Sequence, residues 1–172
     1  IILCGVGKSG LIAAKISSTL SSVGSPAFSL SANDCLHGDL GSITKKDILI
    51  LISNSGKSEE LVPIIKFANR NKIKLIGIVS KKNSFLYKAS DIKILLPEVK
   101  ESGLGVVPTS STSVQMAVGD ALAVATLKKK QFSKYDFSRL HPGGNLGKQL
   151  KTVGDIMVSG KKIPLINENK NM

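Results

Sequence analysis

Residues 48–58 have the sequence ILILISNSGKS. The first five are all apolar and offer no polar face to water, which is typical of a parallel β-strand that helices cover on both sides. The change to serine, asparagine and glycine predicts the end of that strand and a tight loop. Apolar residues then recur at helical spacing and predict a helix over residues 58–71, at Leu61, Ile64, Ile65 and Ala68. A strand, a polar loop and a helix in this order form one unit of an α/β fold.

Further apolar runs extend this pattern in both directions along the chain. Together they predict five strands, at residues 1–4, 27–30, 47–53, 74–80 and 91–96. Helical spacing recurs over residues 9–22 and 110–129, and in the second of these we expect the inward side chains to be Val114, Ala117, Val118, Ala121 and Val124. The alternation predicts a three-layer α/β/α sandwich with a five-stranded parallel sheet, and ligands at the carboxyl ends of its strands.

The composition of the 172 residues, 42% hydrophobic and 21% charged, is typical of one globular domain with a full core. Its apolar stretches are much shorter than the roughly 18 residues of a membrane span, so we predict no membrane partner. The two cysteines, Cys4 and Cys35, have neither the spacing of a metal site nor that of a disulfide framework. We therefore expect no metal and a reducing, cytoplasmic location.

The formal net charge is +12, which raises the question of a nucleic-acid partner. Arginine, whose planar fork dominates base and phosphate recognition, occurs only at Arg70 and Arg139. The lysines are dispersed, and their longest block, residues 128–130, stands at a predicted helix end, where cations complement the helix dipole. We expect no nucleic-acid binding.

A glycine-rich loop with the sequence GVGKSG at residues 5–10 directly follows the first strand. A Walker loop needs a glycine five positions before Gly7, where Ile2 stands, and a nicotinamide site needs an acid near the end of strand two, where residues 29–31 are Ser-Leu-Ser. Both interpretations fail. The small residues still let backbone N–H groups and the Lys8 ammonium approach an oxyanion at a helix N-terminus. The alternative is a simple strand-to-helix turn.

The loop after strand three carries hydroxyl groups at Ser53, Ser55 and Ser58. We expect a phosphate there to receive these hydroxyls together with unpaired backbone N–H groups. The alternative is that Ser58 only caps the following helix. Because two consecutive strand ends carry such loops, we predict a shared anion pocket, which a third hydroxyl cluster at residues 108–112 could close.

Acids and bases near this pocket are few. Histidine occurs only at His37 and His141, both in glycine-flanked loops, where a solvated side chain is the alternative to a proton-transfer group. Glu60 and Glu101 are the acids nearest the expected carboxyl edge of the sheet.

Six blocks follow one another along the chain: GVGKSG at 5–10, HGDLG at 37–41, SNSGKS at 53–58, PTSST at 108–112, GDALA at 119–123 and HPGG at 141–144. Together they resemble the arabinose-5-phosphate isomerase family of sugar isomerase domains, in the family's order. The resemblance implies a flavodoxin-like fold that binds phosphorylated sugars. It also implies interconversion of D-ribulose 5-phosphate and D-arabinose 5-phosphate, in lipopolysaccharide sugar biosynthesis, without an organic cofactor.

The positions that match the family's proposed catalytic set are Lys8, Glu60, Glu101 and His141. Isomerisation through a cis-enediol requires a base at carbon, an acid at the oxygens and a donor for the enediolate charge. We expect Glu101 to be the base, Lys8 to stabilise the enediolate and His141 to move the hydroxyl protons, while Glu60 holds Lys8 or a sugar hydroxyl. The expected substrate contacts are Gly7, Ser9, His37, Ser53, Asn54, Ser55, Gly56, Ser58, Thr109, Ser110 and Ser111.

The resemblance also predicts the organisation of the protein. We expect residues 1–152 to be a sugar isomerase domain whose N-terminal part is missing, and residues 153–172 to be a linker and the start of a cystathionine-β-synthase-type (CBS) domain pair. The family is generally tetrameric, so a neighbouring subunit could donate His141 or His37. Two alternatives stay open: a non-catalytic phosphosugar-binding regulatory module, and another phosphosugar isomerase of the same fold.

Overall fold

The computed structural model describes residues 1–143 and 151–166. Five parallel strands form one sheet in the order β2-β1-β3-β4-β5. They are β1 (Ile2–Gly5), β2 (Phe28–Ser31), β3 (Ile48–Ile52), β4 (Lys74–Val79) and β5 (Ile92–Leu95). The five predicted strands are confirmed, and each end lies within one residue of its expected position.

The helices of the described residues are α1 (Lys8–Ser22), α2 (Ala32–Cys35), α3 (Leu61–Arg70), α4 (Phe85–Ala89), α5 (Ser110–Lys129), α6 (Lys134–Leu140) and α7 (Val153–Ile156). The predictions for α1 and α5 are confirmed. The helix predicted over residues 58–71 begins only at Leu61, because the preceding residues form the serine loop described below. The sequence predicts none of α2, α4, α6 and α7, since helices of four to seven residues are too short to show a clear helical period.

The chain divides into two compact units, Ile1–Phe132 and Ser133–Met172. In the first unit, alternate residues of β3 face opposite sides of the sheet. Leu49 and Leu51 pack in the cluster that contains α3 and α4, whereas Ile50 and Ile52 pack in the cluster that contains α1 and α5. All four are buried, which explains the uninterrupted apolar run. The predicted three-layer sandwich is confirmed.

The inward face of α5 differs from the predicted one. Ala117, Ala121 and Val124 are exposed, and only Val114 and Val118 of the predicted set pack partly against the core. The buried residues of the helix are instead Ser111, Gln115, Gly119 and Ala123. A Cβ atom at Gly119 would overlap the side chain of Ile16 in α1, so this glycine permits the close approach of the two helices. The prediction was wrong because α5 carries apolar residues on every side, and the small residues select the packed face.

This close approach predicts a large cost for a bulkier residue. We expect Gly119→Val to lower the free energy of unfolding by about 1–3 kcal/mol, the usual cost of overpacking a filled core. Ala121→Val adds the same kind of side chain on the exposed side of α5 and should cost about 0.5 kcal/mol, through helix propensity alone. Urea denaturation of both variants checks the prediction. Equal losses would show that residue 119 does not set the contact between α1 and α5.

Both cysteines of the chain are free thiols and both are buried, in the core cluster shared with α3. Burial raises the pKa of Cys4 to about 12, so this thiol is not a nucleophile at neutral pH. No helix in the described residues has the length and apolar character needed to cross a membrane.

Candidate active site

The site lies where β1 and β3 end side by side. Gly5 at the end of β1 pairs with Ile52 at the end of β3, so the loops that follow these strands start from neighbouring positions. The chain leaves β1 toward β2 on one side and returns to β3 on the other, so β1 is the topological switch point of the sheet. Ligands of open α/β sheets bind at this point, outside the carboxyl ends of the strands.

The loop after β3, residues 53–58, is called the serine loop here. The buried Ser53 hydroxyl accepts a hydrogen bond from the Gly56 backbone N–H at 3.0 Å and lies 3.0 Å from the Ser58 hydroxyl. Ser53 thus shapes the loop from within, whereas Ser55 is exposed and its hydroxyl accepts from the Lys57 N–H at 3.2 Å. Of the three predicted phosphate donors, the exposed Ser55 is the one best placed to meet a ligand.

Gly56 is the residue that lets the serine loop turn. Its φ of 64° lies in the left-handed region, and a Cβ atom there would overlap the buried side chain of Ser84. Ser58 does not cap a helix: its carbonyl accepts from the Leu61 N–H at 3.2 Å, and α3 starts after Glu60. The alternative that Ser58 is a simple N-cap is therefore wrong, and its hydroxyl belongs to the loop.

The loop between β1 and α1 brings its backbone close to the carboxyl ends of β1 and β3, where the serine loop also lies. A Cβ atom at Gly5 would lie 2.8 Å from the backbone carbon and oxygen of Ser9, so only glycine fits. Gly7 has a φ of 56°, and its carbonyl accepts from the N–H groups of Gly10 and Leu11. Among the described residues no side chain caps α1. Of the first N–H groups of this 15-residue helix, those of Lys8 and Ser9 are left for solvent or an anion.

Lys8 opens α1 and is exposed, as is Glu60 at the start of α3. The two residues form no ion pair with each other; the ion pairs of the described residues are Lys15–Asp120, Lys74–Asp91 and Lys81–Glu98. The expectation that Glu60 holds Lys8 is therefore not met in this structure. Both side chains are available to a ligand.

A cavity of about 410 Å³ opens on the β2 side of the glycine-rich loop. Its lining includes Gly5, Gly7 and Gly10 together with Ser29, Ser31 and Asn33 from the end of β2 and the start of α2. The serine loop stands on the other side, after β3. The glycine-rich loop is therefore open to a ligand from the β2 side.

The N-terminus of α5 holds Glu101 and the third hydroxyl cluster together. One carboxylate oxygen of Glu101, Oε2, accepts from the Thr109 N–H at 2.8 Å, the Thr109 hydroxyl at 3.2 Å and the Ser111 N–H at 3.2 Å. None of these three bonds involves the other oxygen, Oε1. Hydrogen bonds from Ser111 and Thr109 lower the pKa of Glu101 to about 2. Ser110 lies 3.4 Å from Ser102, hydroxyl to hydroxyl.

Gln115 is a residue of this site that the sequence does not reveal. It is 1% exposed, and its Oε1 accepts a hydrogen bond from the Ser9 hydroxyl at 3.1 Å. This bond connects the first turn of α1 to α5, so it fixes the glycine-rich loop relative to the Glu101 cluster. The one sequence feature that could have indicated Gln115 is its spacing of four residues from both Ser111 and Gly119, which places the three on one face of a helix.

Neither histidine takes part in the hydrogen bonds described so far. His37 follows α2, is exposed, and donates its backbone N–H to the Asp34 carbonyl at 2.9 Å. His141 belongs to the second compact unit, where its ring stacks on Phe137 with centroids 3.8 Å apart and an interplanar angle of 14°. Its Nδ1 lies 2.8 Å from the Phe137 carbonyl oxygen. Because a carbonyl only accepts, Nδ1 carries the proton and Nε2 is the basic nitrogen of the neutral ring. Gly144, the last residue of the predicted HPGG block, lies outside the described residues.

Within residues 1–143 and 151–166, no three histidine, cysteine or carboxylate side chains come together as a metal site.

The sheet order, the glycine-rich loop and the serine loop define an α/β domain whose two loops lie side by side at the carboxyl ends of β1 and β3. Residues 1–125 match the family described as SIS domain, and the chain belongs to that family. Arabinose 5-phosphate isomerase KdsD of Yersinia pestis is 42% identical to it, and that of Escherichia coli K12 is 40% identical; each match covers 100% of this chain and 53% of the relative. The chain therefore spans about half the length of the curated relatives it matches.

A solved structure agrees with the fold. A protein of Escherichia coli CFT073, determined in complex with arabinose 5-phosphate, superposes with a TM-score of 0.79 at 37% identity, over 82% of this chain and 76% of that one. The flavodoxin-like sugar isomerase fold predicted from the sequence is thus confirmed.

The lowered pKa of Glu101 predicts an acid-dependent stability. Because its pKa in the fold, about 2, is below the usual 4.5, the carboxylate stabilises the fold above pH 4.5, and this contribution is lost as the pH falls toward 2. We expect the difference in Tm between the protein and Glu101→Gln to be largest near pH 6 and to shrink as the pH falls below about 4.5. Thermal unfolding from pH 6 to pH 3 checks this. A difference that stays constant over the range would contradict the hydrogen-bonded geometry.

Proposed function

We propose that this chain is the sugar-binding and catalytic part of an aldose–ketose isomerase that interconverts D-ribulose 5-phosphate and D-arabinose 5-phosphate. The observation that carries the proposal is the serine loop at the carboxyl end of β3, beside the glycine-rich loop of β1. This arrangement occurs in a chain that is 42% identical to an arabinose 5-phosphate isomerase. The substrate is therefore a phosphorylated pentose, and the chemistry requires no organic cofactor.

The phosphate of the sugar binds at the serine loop. Ser55 donates its hydroxyl, and the backbone around Gly56 supplies N–H groups, while Asn54 and Ser58 border the same pocket. The Ser53 hydroxyl keeps the loop in the conformation that presents these groups. Across the switch point, Gly7 and Ser9 give the sugar access to the N-terminus of α1, whose dipole favours negative charge.

Proton transfer uses the groups around the sugar's first two carbons. Glu101 takes a proton from carbon through Oε1, because Oε2 is occupied by three hydrogen bonds. A carboxylate with a pKa of about 2 is a weak base, so binding must raise its basicity. Closure of residues 102–108 over the sugar would exclude water and loosen those bonds, and Gly103 and Gly105, both at positive φ, allow the loop to move.

The remaining roles follow from charge and protonation. The exposed ammonium of Lys8 stabilises the enediolate as it forms, since it opens the helix next to the pocket. His141 exchanges protons with the sugar hydroxyls through Nε2, and Glu60 binds a sugar hydroxyl. Thr109, Ser110 and Ser111 close the pocket from α5, and His37 contacts the substrate from its own subunit or a neighbouring one.

The organisation of the longer protein is part of the same proposal. We assign residues 1–152 to the sugar isomerase domain and residues 153–172 to a linker that leads into a CBS domain pair. The protein assembles as a homotetramer in the cytoplasm, and a neighbouring subunit can supply His141 to the pocket. Sedimentation of the protein with and without phosphosugar tests the assembly.

The direct test of the function is product identity. We expect the purified protein to convert D-ribulose 5-phosphate to D-arabinose 5-phosphate and to leave D-sedoheptulose 7-phosphate unchanged, as read by ion chromatography with both standards. D-Ribose 5-phosphate as the product, or turnover of the seven-carbon sugar alone, would instead assign another phosphosugar isomerase of the same fold.

A second candidate is a non-catalytic phosphosugar-binding regulatory module. The observation that favours it is the position of Glu101, whose carboxylate is used as a hydrogen-bond acceptor at the N-terminus of α5. Such a module keeps the serine loop but has no need of a base. Submicromolar to micromolar binding of D-arabinose 5-phosphate by calorimetry, without any turnover, would select this function.

A further inference from the structure

A second crevice, of about 370 Å³, adjoins the serine loop at the ends of β3 and β4. Its walls come from the serine loop, from the loop between β4 and α4, and from the segment after β5. The lining residues are Ser55, Lys57, Lys81, Lys82, Asn83, Ser84 and Glu98. Ser55 belongs to both the serine loop and this crevice, so the two adjoin at this residue. We call this feature the lysine crevice.

Hydrogen bonds hold the two loops that form the crevice together. The Ser80 hydroxyl donates to Asn54 Oδ1 at 2.6 Å, and the Ser80 N–H donates to the Asn54 carbonyl at 3.0 Å. The Leu86 N–H donates to the Gly56 carbonyl at 3.1 Å, and Ser84 fills the space that a side chain at position 56 would need. The floor of the lysine crevice is therefore preorganised, and a ligand does not have to order it.

The charge of the crevice is strongly positive. Three lysines face one carboxylate, and that carboxylate, Glu98, already pairs with Lys81 at 2.5 Å. Neither Lys57 nor Lys82 forms an ion pair with another described residue. Serine and asparagine contribute further hydrogen-bond donors. These groups have the charge and the donors that an anion requires, and Lys81 and Lys82 lie on a different loop from the serine loop.

We propose that the lysine crevice is a second anion subsite, and that the protein binds small sugar phosphates carrying a second anionic group more tightly than it binds monophosphates. One phosphate occupies the serine loop, and the second phosphate or carboxylate lies against Lys81 and Lys82. This inference rests on the proposed function, because it takes the serine loop as the site of the first phosphate. A bis-anionic sugar would then compete with the substrate and inhibit the enzyme.

The test compares two ligands that differ only in the second phosphate. D-Arabinitol 5-phosphate and D-arabinitol 1,5-bisphosphate both lack a carbonyl group, so neither is turned over and calorimetry reports binding alone. We expect the bisphosphate to have a Kd at least tenfold lower than the monophosphate. In Lys81→Met/Lys82→Met this preference should fall below threefold, while the Kd for the monophosphate stays within twofold of its original value.

The matched control is Lys128→Met/Lys129→Met, which removes the same charge from the last turn of α5 and should keep the tenfold preference. Equal affinities for the two ligands in the unmodified protein would overturn the inference and leave the proposed function intact. If Lys81→Met/Lys82→Met raises the Kd of both ligands by the same factor, the inference is also overturned, because the crevice would then hold the first phosphate. If neither ligand binds, the proposed function fails as well.

Discussion

Glu101→Gln is expected to lower kcat for the conversion of D-ribulose 5-phosphate by about 100-fold or more, the usual contribution of a general base. Glutamine keeps the shape of the side chain, and its carbonyl oxygen can still accept the hydrogen bond from Thr109. It cannot take a proton from carbon. Because the proposed function puts the sugar's phosphate elsewhere, at the serine loop, KM should change by less than threefold. Steady-state kinetics at pH 7.5 measures both effects.

Asp91→Asn provides the matched control for this variant. Asp91 is also a carboxylate that accepts a backbone hydrogen bond, from the Leu75 N–H at 2.8 Å. It directly precedes β5 and therefore lies at the amino ends of the strands, opposite the candidate site. We expect its kcat to remain within twofold. If Glu101→Gln keeps kcat within fivefold, the base is another residue, and Glu60→Gln becomes the variant to examine.

Ser53→Ala is expected to raise KM for the phosphosugar by about tenfold or more and to destabilise the protein. The Ser53 hydroxyl is buried and accepts from the Gly56 N–H, so its removal leaves a buried donor unsatisfied at a cost of about 1–3 kcal/mol. The serine loop then loses the bond that shapes it. Ser55→Ala removes only an exposed donor and should raise KM several-fold without loss of stability.

Ser90→Ala separates loss of stability from loss of binding. Ser90 is also buried, and its hydroxyl donates to the Leu86 carbonyl at 2.6 Å without a hydrogen bond to the serine loop itself. We expect this variant to be destabilised with KM unchanged. An unchanged KM in Ser53→Ala, measured by initial rates at 25 °C, would show that the phosphate binds at another loop.

The strands of the sheet could be predicted because each one depends on residues that are adjacent in the sequence. The apolar run at residues 48–52 requires cover on both faces, and a polar residue at position 50 or 51 would have broken the pattern. The packed face of α5 was not predictable in this way. Its packing depends on which small residue meets Ile16 across a helix pair, and that contact joins residues more than one hundred positions apart.

In the candidate site, too, local features could be predicted from the sequence, and contacts between distant residues could not. Turn residues such as Gly7 and Gly56 mark their loops in the sequence, because both adopt positive φ. The sequence could not show that the Ser53 hydroxyl is used inside the loop, or that Glu101 is held by the N-terminus of α5. Both depend on hydrogen bonds whose direction the fold decides. Gln115 was missed because a glutamine within an apolar helix is usually interpreted as a surface residue.

The central claim, that this site isomerises a pentose phosphate by proton transfer at carbon, is tested most directly by isotope exchange. The protein is incubated with D-ribulose 5-phosphate in D₂O, and the products are observed by proton and carbon NMR. The account predicts D-arabinose 5-phosphate that carries deuterium at C2, and a loss of this exchange in Glu101→Gln. Binding of D-ribulose 5-phosphate without formation of D-arabinose 5-phosphate, and without deuterium entering the sugar, would contradict it.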